Sequence, residues 1–194
     1  MSVDERMVHD IVQKVMANMQ ISGSVSGMHG VFKDMNDAIN ASIEAQKKVC
    51  TMTLDQREQI ISLIRKKTHE NAEILANMGV NETGMGNVGD KILKHHLTAD
   101  KVPGTEDIST IAWSGDRGLT LVEMGPFGVI GAITPATNPS ETVICNCIGM
   151  LAGGNTVVFN PHPNAKKTTI YTINMINEAS IEAGGPDNIA VTVE

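Results

Sequence analysis

Aromatic residues are scarce in this chain of 194 amino acids. Phe, Trp and Tyr together make up 3% of the sequence, whereas hydrophobic residues of all kinds make up 41%. A core can therefore form, but aliphatic side chains and twelve methionines must fill it. Methionine is flexible and fits irregular spaces. The composition predicts a folded protein of one domain, or one and a half, with an adaptable core.

Cysteine is almost absent as well. Cys50, Cys145 and Cys147 are an odd number at spacings unlike a zinc site, which argues against a disulfide framework and favours a reducing compartment. No apolar run reaches the roughly 18 residues of a membrane span. The start of the chain, with Asp4 and Glu5, is unlike a secretory signal. We expect a cytoplasmic protein that makes no membrane contact.

Positive charge is also limited. Fifteen Lys and Arg stand against 22 Asp and Glu, a formal net charge of −7, and the basic residues are scattered apart from residues 65–67. The sequence has no phosphate-binding stripe, so nucleic acid is not an expected partner. The adjacent His95 and His96 would diverge by about 100° on a helix and could not chelate one ion. No metal site is expected.

The first thirty residues predict a separate segment. A Gly/Ser-rich stretch, residues 21–30, has the composition of a flexible linker. Before it, residues 1–20 predict a short amphipathic helix, whose apolar positions are Val8, Ile11, Val12, Val15, Met16 and Met19. A helix this short gains order by docking into a groove. The groove would belong either to a partner or to the helix's own domain.

Helical periodicity dominates residues 31–118. We predict one helix from Asp34 to about Cys50, and a second that starts with a capping box at Thr53 and Gln56 and ends near Gly79. A glycine-rich turn at residues 82–86 stops the helical pattern. A further helix is predicted over residues 90–102, and residues 103–118 are predicted to be irregular.

The pattern changes at Leu119 from helical to strand-like. Helices are predicted at 139–151 and 164–183, and strands at 119–124, 128–134, 156–160 and 189–193. This order predicts an α/β fold: N-terminal helices followed by an incomplete, Rossmann-like parallel sheet with right-handed βαβαβ crossovers over residues 119–194. An incomplete sheet leaves an open edge, so we expect an oligomer, a rearranged fold or a partner that completes the sheet.

Two of these strands end in polar turns that contain proline, each followed by a helix. The first reads Pro126–Pro139 (PFGVIGAITPATNP) and the second ends in Phe159–Pro163 (FNPHP). Open α/β sheets bind ligands at this edge. Gly128-x-x-Gly131 alone is weak evidence for a nucleotide site. Asn138, directly before Pro139, has by its spacing alone the position of a helix N-cap.

The two motifs together resemble the aldehyde dehydrogenase superfamily. Their sequences are most similar to its coenzyme-A-acylating branch, the propionaldehyde and acetaldehyde dehydrogenases of bacterial microcompartments. The ETGMG turn at residues 82–86 resembles the same branch. The resemblance covers residues 30–194 of this chain. These residues match only the N-terminal part of a family-length enzyme, less than half of its length. The resemblance implies the aldehyde dehydrogenase fold.

The resemblance also implies roles for individual residues. Asn138 matches the Asn whose side-chain amide stabilises the oxyanion formed when a cysteine thiolate attacks the aldehyde. A pocket that serves NAD and coenzyme A in turn would be formed by Ile133, Thr134, Pro135, Ala136, Thr137, Asn160, Pro161 and His162. Where Asn160 stands, the wider superfamily commonly has a lysine, so cofactor preference does not carry over from that position. His162, between two prolines, has the simpler interpretation of a structural turn residue.

No nucleophile is assigned within the chain. Cys145 and Cys147 lie in an apolar helical stretch, where burial raises the pKa of a thiol, and we interpret both as core residues. The family's nucleophilic cysteine would lie beyond Glu194. The implied function is the N-terminal portion of an enzyme that oxidises a short aldehyde to acyl-coenzyme A and reduces NAD. The 194-residue chain by itself is expected to be inactive.

Residues 1–20 and the linker carry a resemblance of their own, to the encapsulation peptides that tether enzymes to microcompartment shells. This implies a shell protein as partner, through residues 8–19, and a place inside a microcompartment. The alternative function is therefore a non-catalytic docking or assembly module. An ordinary helix folded back on its own domain is the simpler interpretation of the same pattern.

Overall fold

A four-stranded parallel sheet organises residues 27–194, the part of the chain that this computed structural model describes. The predicted docking helix and most of the predicted linker lie outside the described residues. The strands of residues 27–194 are β1 (Val31–Phe32), β2 (Ile111–Gly115), β3 (Gly118–Val122), β4 (Val129–Thr134), β5 (Thr156–Pro161) and β6 (Ala190–Val193). The sheet order is β1-β6-β5-β4, and β2 pairs with β3 separately.

Helices cover both faces of the sheet. Those of residues 27–194 are α1 (Met35–Val49), α2 (Leu54–Glu70), α3 (Ala72–Thr83), α4 (Val88–Lys101), α5 (Pro139–Ala152) and α6 (Lys166–Glu182). None of them is both long and apolar enough to cross a bilayer. Val157 and Phe159 pack with α2, α5 and α6, whereas Val158 packs with α1. Strand β5 is thus buried on both faces, as its continuous apolar run requires.

The predicted parallel α/β sheet is confirmed. Strands β4, β5 and β6 pair in parallel, with helices α5 and α6 between them in the chain. Helix α1 lies where the Asp34 pattern places it. The capping box is present too: the Gln56 N–H donates to Thr53 Oγ1 (3.2 Å), and the Gln56 side-chain oxygen accepts from the Thr53 N–H (2.9 Å).

The prediction of one continuous helix from Thr53 to Gly79 is wrong. The chain bends at Asn71, which separates α2 from α3 and has φ −103° and ψ 6°. The Asn71 Nδ2 group donates to the Lys67 carbonyl (2.9 Å), and its Oδ1 accepts from the Tyr171 hydroxyl (2.9 Å). An Asn side chain that competes for helix carbonyls favours such a bend. The second helix then continues past Gly79 to Thr83.

The prediction that residues 103–118 are irregular is also wrong. Residues 111–115 form strand β2, which pairs antiparallel with β3 through a two-residue turn, with Trp113 opposite Thr120. All residues of both strands are exposed. The strand predicted at 119–124 therefore belongs to this hairpin and not to the four-stranded sheet. A strand with no buried face has no core-directed pattern that could reveal it.

The chain packs onto the domain before residue 31, inside the predicted linker. The His29 N–H donates to Asn174 Oδ1 (2.7 Å), and the Gly30 carbonyl accepts from the Thr192 N–H (2.8 Å). Gly30 has φ +74°, and a Cβ there would stand 2.4 Å from the Ala190 carbonyl oxygen. Only glycine fits this approach. Gly30 leads directly into β1, a fourth strand of the sheet that was not predicted from the sequence.

Candidate functional site

The two polar turns lie side by side at the carboxyl edge of the sheet. Strands β4 and β5 pair in register, with Ile133 opposite Asn160 and Thr134 opposite Pro161. The structure therefore brings the two predicted groups of cofactor-binding residues together. A parallel sheet places ligands at this edge.

The turn after β4 combines exposed and buried positions. Ile133 is 83% exposed, and Thr137 is exposed as well, whereas Ala136 is buried. Thr134 is buried, and its hydroxyl oxygen has no hydrogen-bond partner within residues 27–194. A buried hydroxyl normally has a partner. The unpaired Thr134 hydroxyl fits a site whose polar ligand would complete it.

His162 has a structural role in the second turn. Its Nδ1 accepts from the Asn164 N–H (3.1 Å) and caps the short 3₁₀ turn Pro163–Ala165. With Nδ1 as acceptor, the neutral ring carries its proton on Nε2. His162 and Asn160 are both exposed. The simpler interpretation of His162 is thus observed, and its second ring nitrogen is left for another contact.

Asn138 lies directly before helix α5, but its side chain makes no cap hydrogen bond. Its Oδ1 instead accepts from the Lys94 ammonium of helix α4 (2.9 Å). Pro139 occupies the first turn of the helix, as the sequence predicts. The N-cap that spacing alone favours is therefore not formed by the Asn138 side chain.

A buried ion pair supports the turn that carries Asn138. The Lys91 ammonium of helix α4 donates to the Thr137 carbonyl (3.0 Å) and lies 3.4 Å from Glu141 Oε1. Both charged side chains are 6% exposed. A buried charge is tolerated when a partner and hydrogen bonds compensate it. Lys91 thus holds both the backbone before Asn138 and the first turn of α5.

His95 extends this buried cluster. Its Nδ1–H donates to the Lys91 carbonyl (2.7 Å), which can only accept, and its Nε2 lies 2.7 Å from the Ser140 hydroxyl. Burial lowers the pKa of His95 below its ordinary value of 6.5, against an opposing effect of Glu141. The neutral ring then accepts the Ser140 proton at Nε2. His95 is a core residue that fixes the start of α5.

Protein stability should depend on pH through His95. Its pKa is lowered in the folded state, so the unfolded state binds the proton first as pH falls below 6.5. The free energy of unfolding should therefore decrease below about pH 6.5, by at most about 1.4 kcal/mol per pH unit, until the pH passes the folded pKa. Urea denaturation between pH 8 and pH 5 measures this.

The control for this pH dependence is the His95→Gln variant, which removes the titrating group. Its free energy of unfolding should change less between pH 7 and pH 5 than that of the parent. Glu106 and Glu182 have pKa values lowered from 4.5, so their protonation acts at lower pH. Equal slopes in the parent and in His95→Gln would contradict the prediction.

Glu82, in the ETGMG turn, connects this region to the second polar turn. Gly84 ends helix α3 in the left-handed conformation (φ +68°), as predicted for a glycine helix stop. The Glu82 carboxylate accepts from the Lys167 N–H, the Thr168 N–H and the Thr168 hydroxyl, each at 2.7 Å. A carboxylate at a helix N-terminus is favourable. Glu82 thus fixes α6 directly after the His162 turn.

A cleft of about 350 Å³ lies between helix α4 and the Asn138 turn. Its lining combines backbone, amide and charged groups of both elements: Met85, Gly86, Asn87, Asp90, Lys91, Lys94, Thr137 and Asn138. Lys94 and Asn138 also line a shallower neighbouring cleft of about 280 Å³ together with Cys145. Asn138 is therefore reachable from outside the described fold.

The cysteines of helix α5 differ from each other. Cys147 is buried, as predicted, and burial raises the pKa of its thiol. Cys145 is exposed, so its interpretation as a core residue is wrong; partial desolvation still raises its pKa. On a helix, the two positions point about 160° apart, so only one faces the core. Both thiols favour the protonated, unreactive form.

His95 and His96 face different surroundings. His95 is buried against Ser140, whereas the ring of His96 stacks on that of His69 with 4.9 Å between centroids. Across residues 27–194, no three His, Cys, Asp or Glu side chains gather in a way that could hold a metal ion.

The residues of helix α4 that support the site were not predicted from the sequence. Lys91, Lys94 and His95 stand at the i, i+3 and i+4 spacing of one helix face, and the side chains of all three contact the turn or the start of α5. A polar stripe on a helix usually indicates a solvent-exposed face. The i, i+3, i+4 spacing was therefore visible in the sequence but had a simpler explanation. It did not indicate the partner turn, which is more than forty residues away along the chain.

Comparison with known families matches residues 16–193 to the aldehyde dehydrogenase family. The match covers nearly the whole chain, including both polar turns and helix α4. The chain belongs to the aldehyde dehydrogenase family. The resemblance proposed from residues 126–139 and 159–163 is confirmed at the level of the family.

Relatives within the family include coenzyme-A-acylating enzymes. An acetylating acetaldehyde dehydrogenase of Bilophila wadsworthia is 46% identical over 98% of this chain and 41% of the relative. The structure of a propionaldehyde dehydrogenase from the fucose utilisation microcompartment of Clostridium phytofermentans is 73% identical, with a TM-score of 0.84 over 86% of this chain and 38% of that one.

Two further structures were solved with ligands. An engineered glycolyl-CoA reductase with bound NADP+ and a Rhodopseudomonas palustris propionaldehyde dehydrogenase with bound CoA and an acylated cysteine are each 47% identical to this chain. Each has a TM-score of 0.82 over 85% of this chain and 38% of the other. The chain thus spans about 40% of the length of its relatives.

Proposed function

We propose that this chain is the N-terminal part of a coenzyme-A-acylating aldehyde dehydrogenase that oxidises a short aldehyde to an acyl-CoA and reduces NAD. One observation carries the proposal: the two polar turns lie side by side at the carboxyl edge of the sheet, because they follow strands β4 and β5, which pair in register. The first turn ends in Asn138, whose side chain does not cap helix α5. The acylating relatives support the substrate class.

The overall reaction would be RCHO + NAD⁺ + CoA-SH → RCO-SCoA + NADH + H⁺. Asn138 would donate its Nδ2–H to the aldehyde oxygen as this oxygen gains negative charge. A preorganised donor of this kind contributes most in the transition state, because it binds the developing charge more strongly than the neutral carbonyl. The buried Lys91 and Glu141 hold the turn in place before substrate arrives.

The turn residues would bind the nucleotides. NAD, when bound, supplies the hydride acceptor. Along β4 and its turn, the unpaired hydroxyl of Thr134 and the exposed side chains of Ile133 and Thr137 fit contact with a nucleotide, and Pro135 and Ala136 shape the backbone between them. Asn160, Pro161 and His162 would complete the same pocket from β5. A relative solved with bound CoA supports coenzyme A as a second ligand, which we place in the same pocket.

The nucleophile would come from outside this chain. Cys147 is buried, and the raised pKa of Cys145 leaves little thiolate. Cys50 lies next to Gln46, whose side chain donates to both the Cys50 sulfur and the Gly154 carbonyl. This places Cys50 near the amino end of β5, at the edge opposite Asn138. The 194-residue chain alone should therefore be inactive.

Activity assays test the proposal. The full-length polypeptide that carries this chain should form NADH, followed by absorbance at 340 nm, from propanal, NAD and coenzyme A, and mass spectrometry should detect propionyl-CoA. The isolated 194-residue chain should form neither product. Acyl-CoA production by the isolated chain would overturn the assignment of the nucleophile. Failure of the full-length polypeptide with short aldehydes and both NAD and NADP would overturn the proposed reaction.

Assembly forms the last part of the proposal. Strands β2 and β3 expose Ile111, Trp113, Leu119 and Leu121, and Phe127 follows them fully in solvent. Ile111 and Trp113 lie on one face of this hairpin, and Leu119 and Leu121 lie on the other. Exposed apolar side chains on both faces favour association with another chain, so a homo-oligomer is proposed. Residues 8–19 would dock onto a shell protein, and the enzyme would then lie in the cytoplasm within a microcompartment. The Clostridium phytofermentans relative, which comes from a microcompartment, supports this part of the proposal.

A further inference from the structure

We propose that Lys94 is a positioning residue for Asn138: its ammonium holds the carboxamide by Oδ1 and leaves Nδ2 as the donor to the reacting oxygen. The inference rests on the proposed function for its effect on catalysis, but its structural part stands on the geometry alone. Lys94 Nζ lies 2.9 Å from Asn138 Oδ1.

The identity of the partner fixes the orientation of the amide. Oxygen and nitrogen of an Asn side chain are assigned from their hydrogen-bond partners. An ammonium group has three donors and no acceptor, so only the carboxamide oxygen can face it. The two N–H groups of Asn138 Nδ2 then point away from Lys94. An oxyanion requires a donor, and this orientation supplies one.

Lys94 also keeps Asn138 from acting as a helix cap. An Asn in this position normally accepts from a backbone N–H of the first helical turn, yet Asn138 makes no such bond. Hydrogen bonds to a charged group are about twice as strong as neutral ones. The ammonium therefore takes the place of the backbone N–H groups as the donor to Oδ1, and the carboxamide faces helix α4.

Charge adds to orientation. A positive group on the carbonyl oxygen polarises the amide and makes its N–H groups better donors, as in chains of cooperative hydrogen bonds. Lys94 is available for this role because, within residues 27–194, it makes no ion pair. The nearby Asp90 is engaged with Asn87 at the start of the helix (2.5 Å).

Helix α4 is itself anchored to the same turn. Lys91, one helical turn before Lys94, donates to the Thr137 carbonyl (3.0 Å). The two lysines thus hold adjacent residues of the turn, Lys91 the backbone of Thr137 and Lys94 the side chain of Asn138. This double attachment restrains helix α4 against the turn and so favours the contact between Lys94 and Asn138.

Kinetics of the full-length polypeptide test the inference. Lys94→Met should lower kcat for propanal about tenfold, a fraction of the 10²–10³-fold that a complete oxyanion donor contributes, with little change in KM. Lys94→Arg, which keeps a charged donor, should recover most of the activity. In an Asn138→Ala background, Lys94→Met should have no further effect on kcat. An additive loss in the double variant would overturn a role through Asn138.

A crystal structure of the Lys94→Met variant separates the inference from the proposed function. With the ammonium gone, Asn138 Oδ1 should turn to accept from a backbone N–H at the start of α5. An unchanged carboxamide would overturn the positioning role, whatever the kinetics. If the carboxamide turns but Asn138→Ala keeps full activity, the positioning role stands and the proposed catalytic role of Asn138 fails.

Discussion

Replacement of Asn138 by Ala in the full-length polypeptide is expected to lower kcat by about 10²–10³-fold, with a much smaller change in KM. A donor aimed at the position of the developing oxyanion acts mainly in the transition state, so its loss falls on kcat and kcat/KM together. This corresponds to about 3–4 kcal/mol of transition-state stabilisation. Steady-state kinetics with propanal, NAD and coenzyme A provide the measurement.

Asn146→Ala is the matched control. It removes the same type of side chain about two turns into helix α5, away from the carboxyl edge of the sheet. Its kcat should stay within about twofold of the parent, because Asn146 is half-buried and lies outside the turn that would carry the reaction. Asn138→Ala must also bind NAD with nearly unchanged affinity, because the nucleotide pocket is left intact. A kcat of Asn138→Ala within threefold of the parent would exclude it as the oxyanion donor.

Strands buried on both faces were the easiest elements to predict from sequence. Val157, Val158 and Phe159 form an uninterrupted apolar run because α1 covers one face of β5 while α5 and α6 cover the other. Strand β1 escaped prediction because it is only two residues long and follows a glycine-rich stretch. Its position depends on the close approach of Gly30 to Ala190, a contact distant in sequence.

The hairpin escaped prediction for a different reason. Its strands have alternating apolar residues, among them Ile111, Trp113, Leu119 and Leu121, but both of its faces are exposed. Apolar alternation indicates a strand only when one face is assumed to meet a core. The pattern was visible on the β3 side and was missed on the β2 side, where it is interrupted by Ser114 and Gly115.

The sequence predicts where the candidate site lies along the chain, but not which side chains surround it. The turns at Asn138 and Asn160 follow two predicted parallel strands, so their proximity could be inferred. Which side chains surround Asn138 could not, because Lys91 and Lys94 belong to a helix from a different part of the chain. Long-range contacts of charged residues leave no local pattern. The competition between helix cap and Lys94 for one oxygen is likewise visible only in three dimensions.

Loss of the buried ammonium is the largest stability effect expected. Lys91→Met should lower the free energy of unfolding by about 3–5 kcal/mol, because it leaves the Glu141 carboxylate buried without its partner. The Ser140 hydroxyl lies 3.2 Å from Glu141 Oε2 and is shared with His95 Nε2 at 2.7 Å, so it compensates the carboxylate only weakly. Equilibrium urea denaturation of the parent and the variant measures the difference.

Two further variants establish the cause. Lys94→Met is the same substitution one turn along helix α4 at an exposed position, and it should cost less than about 1 kcal/mol. The double variant Lys91→Met with Glu141→Leu should recover most of the loss, since a buried ion pair can be replaced by apolar side chains at little cost. If Lys91→Met is no more destabilised than Lys94→Met, the buried pair does not hold the Asn138 turn. A double variant less stable than Lys91→Met alone would mean that Glu141 stabilises the fold through contacts other than Lys91.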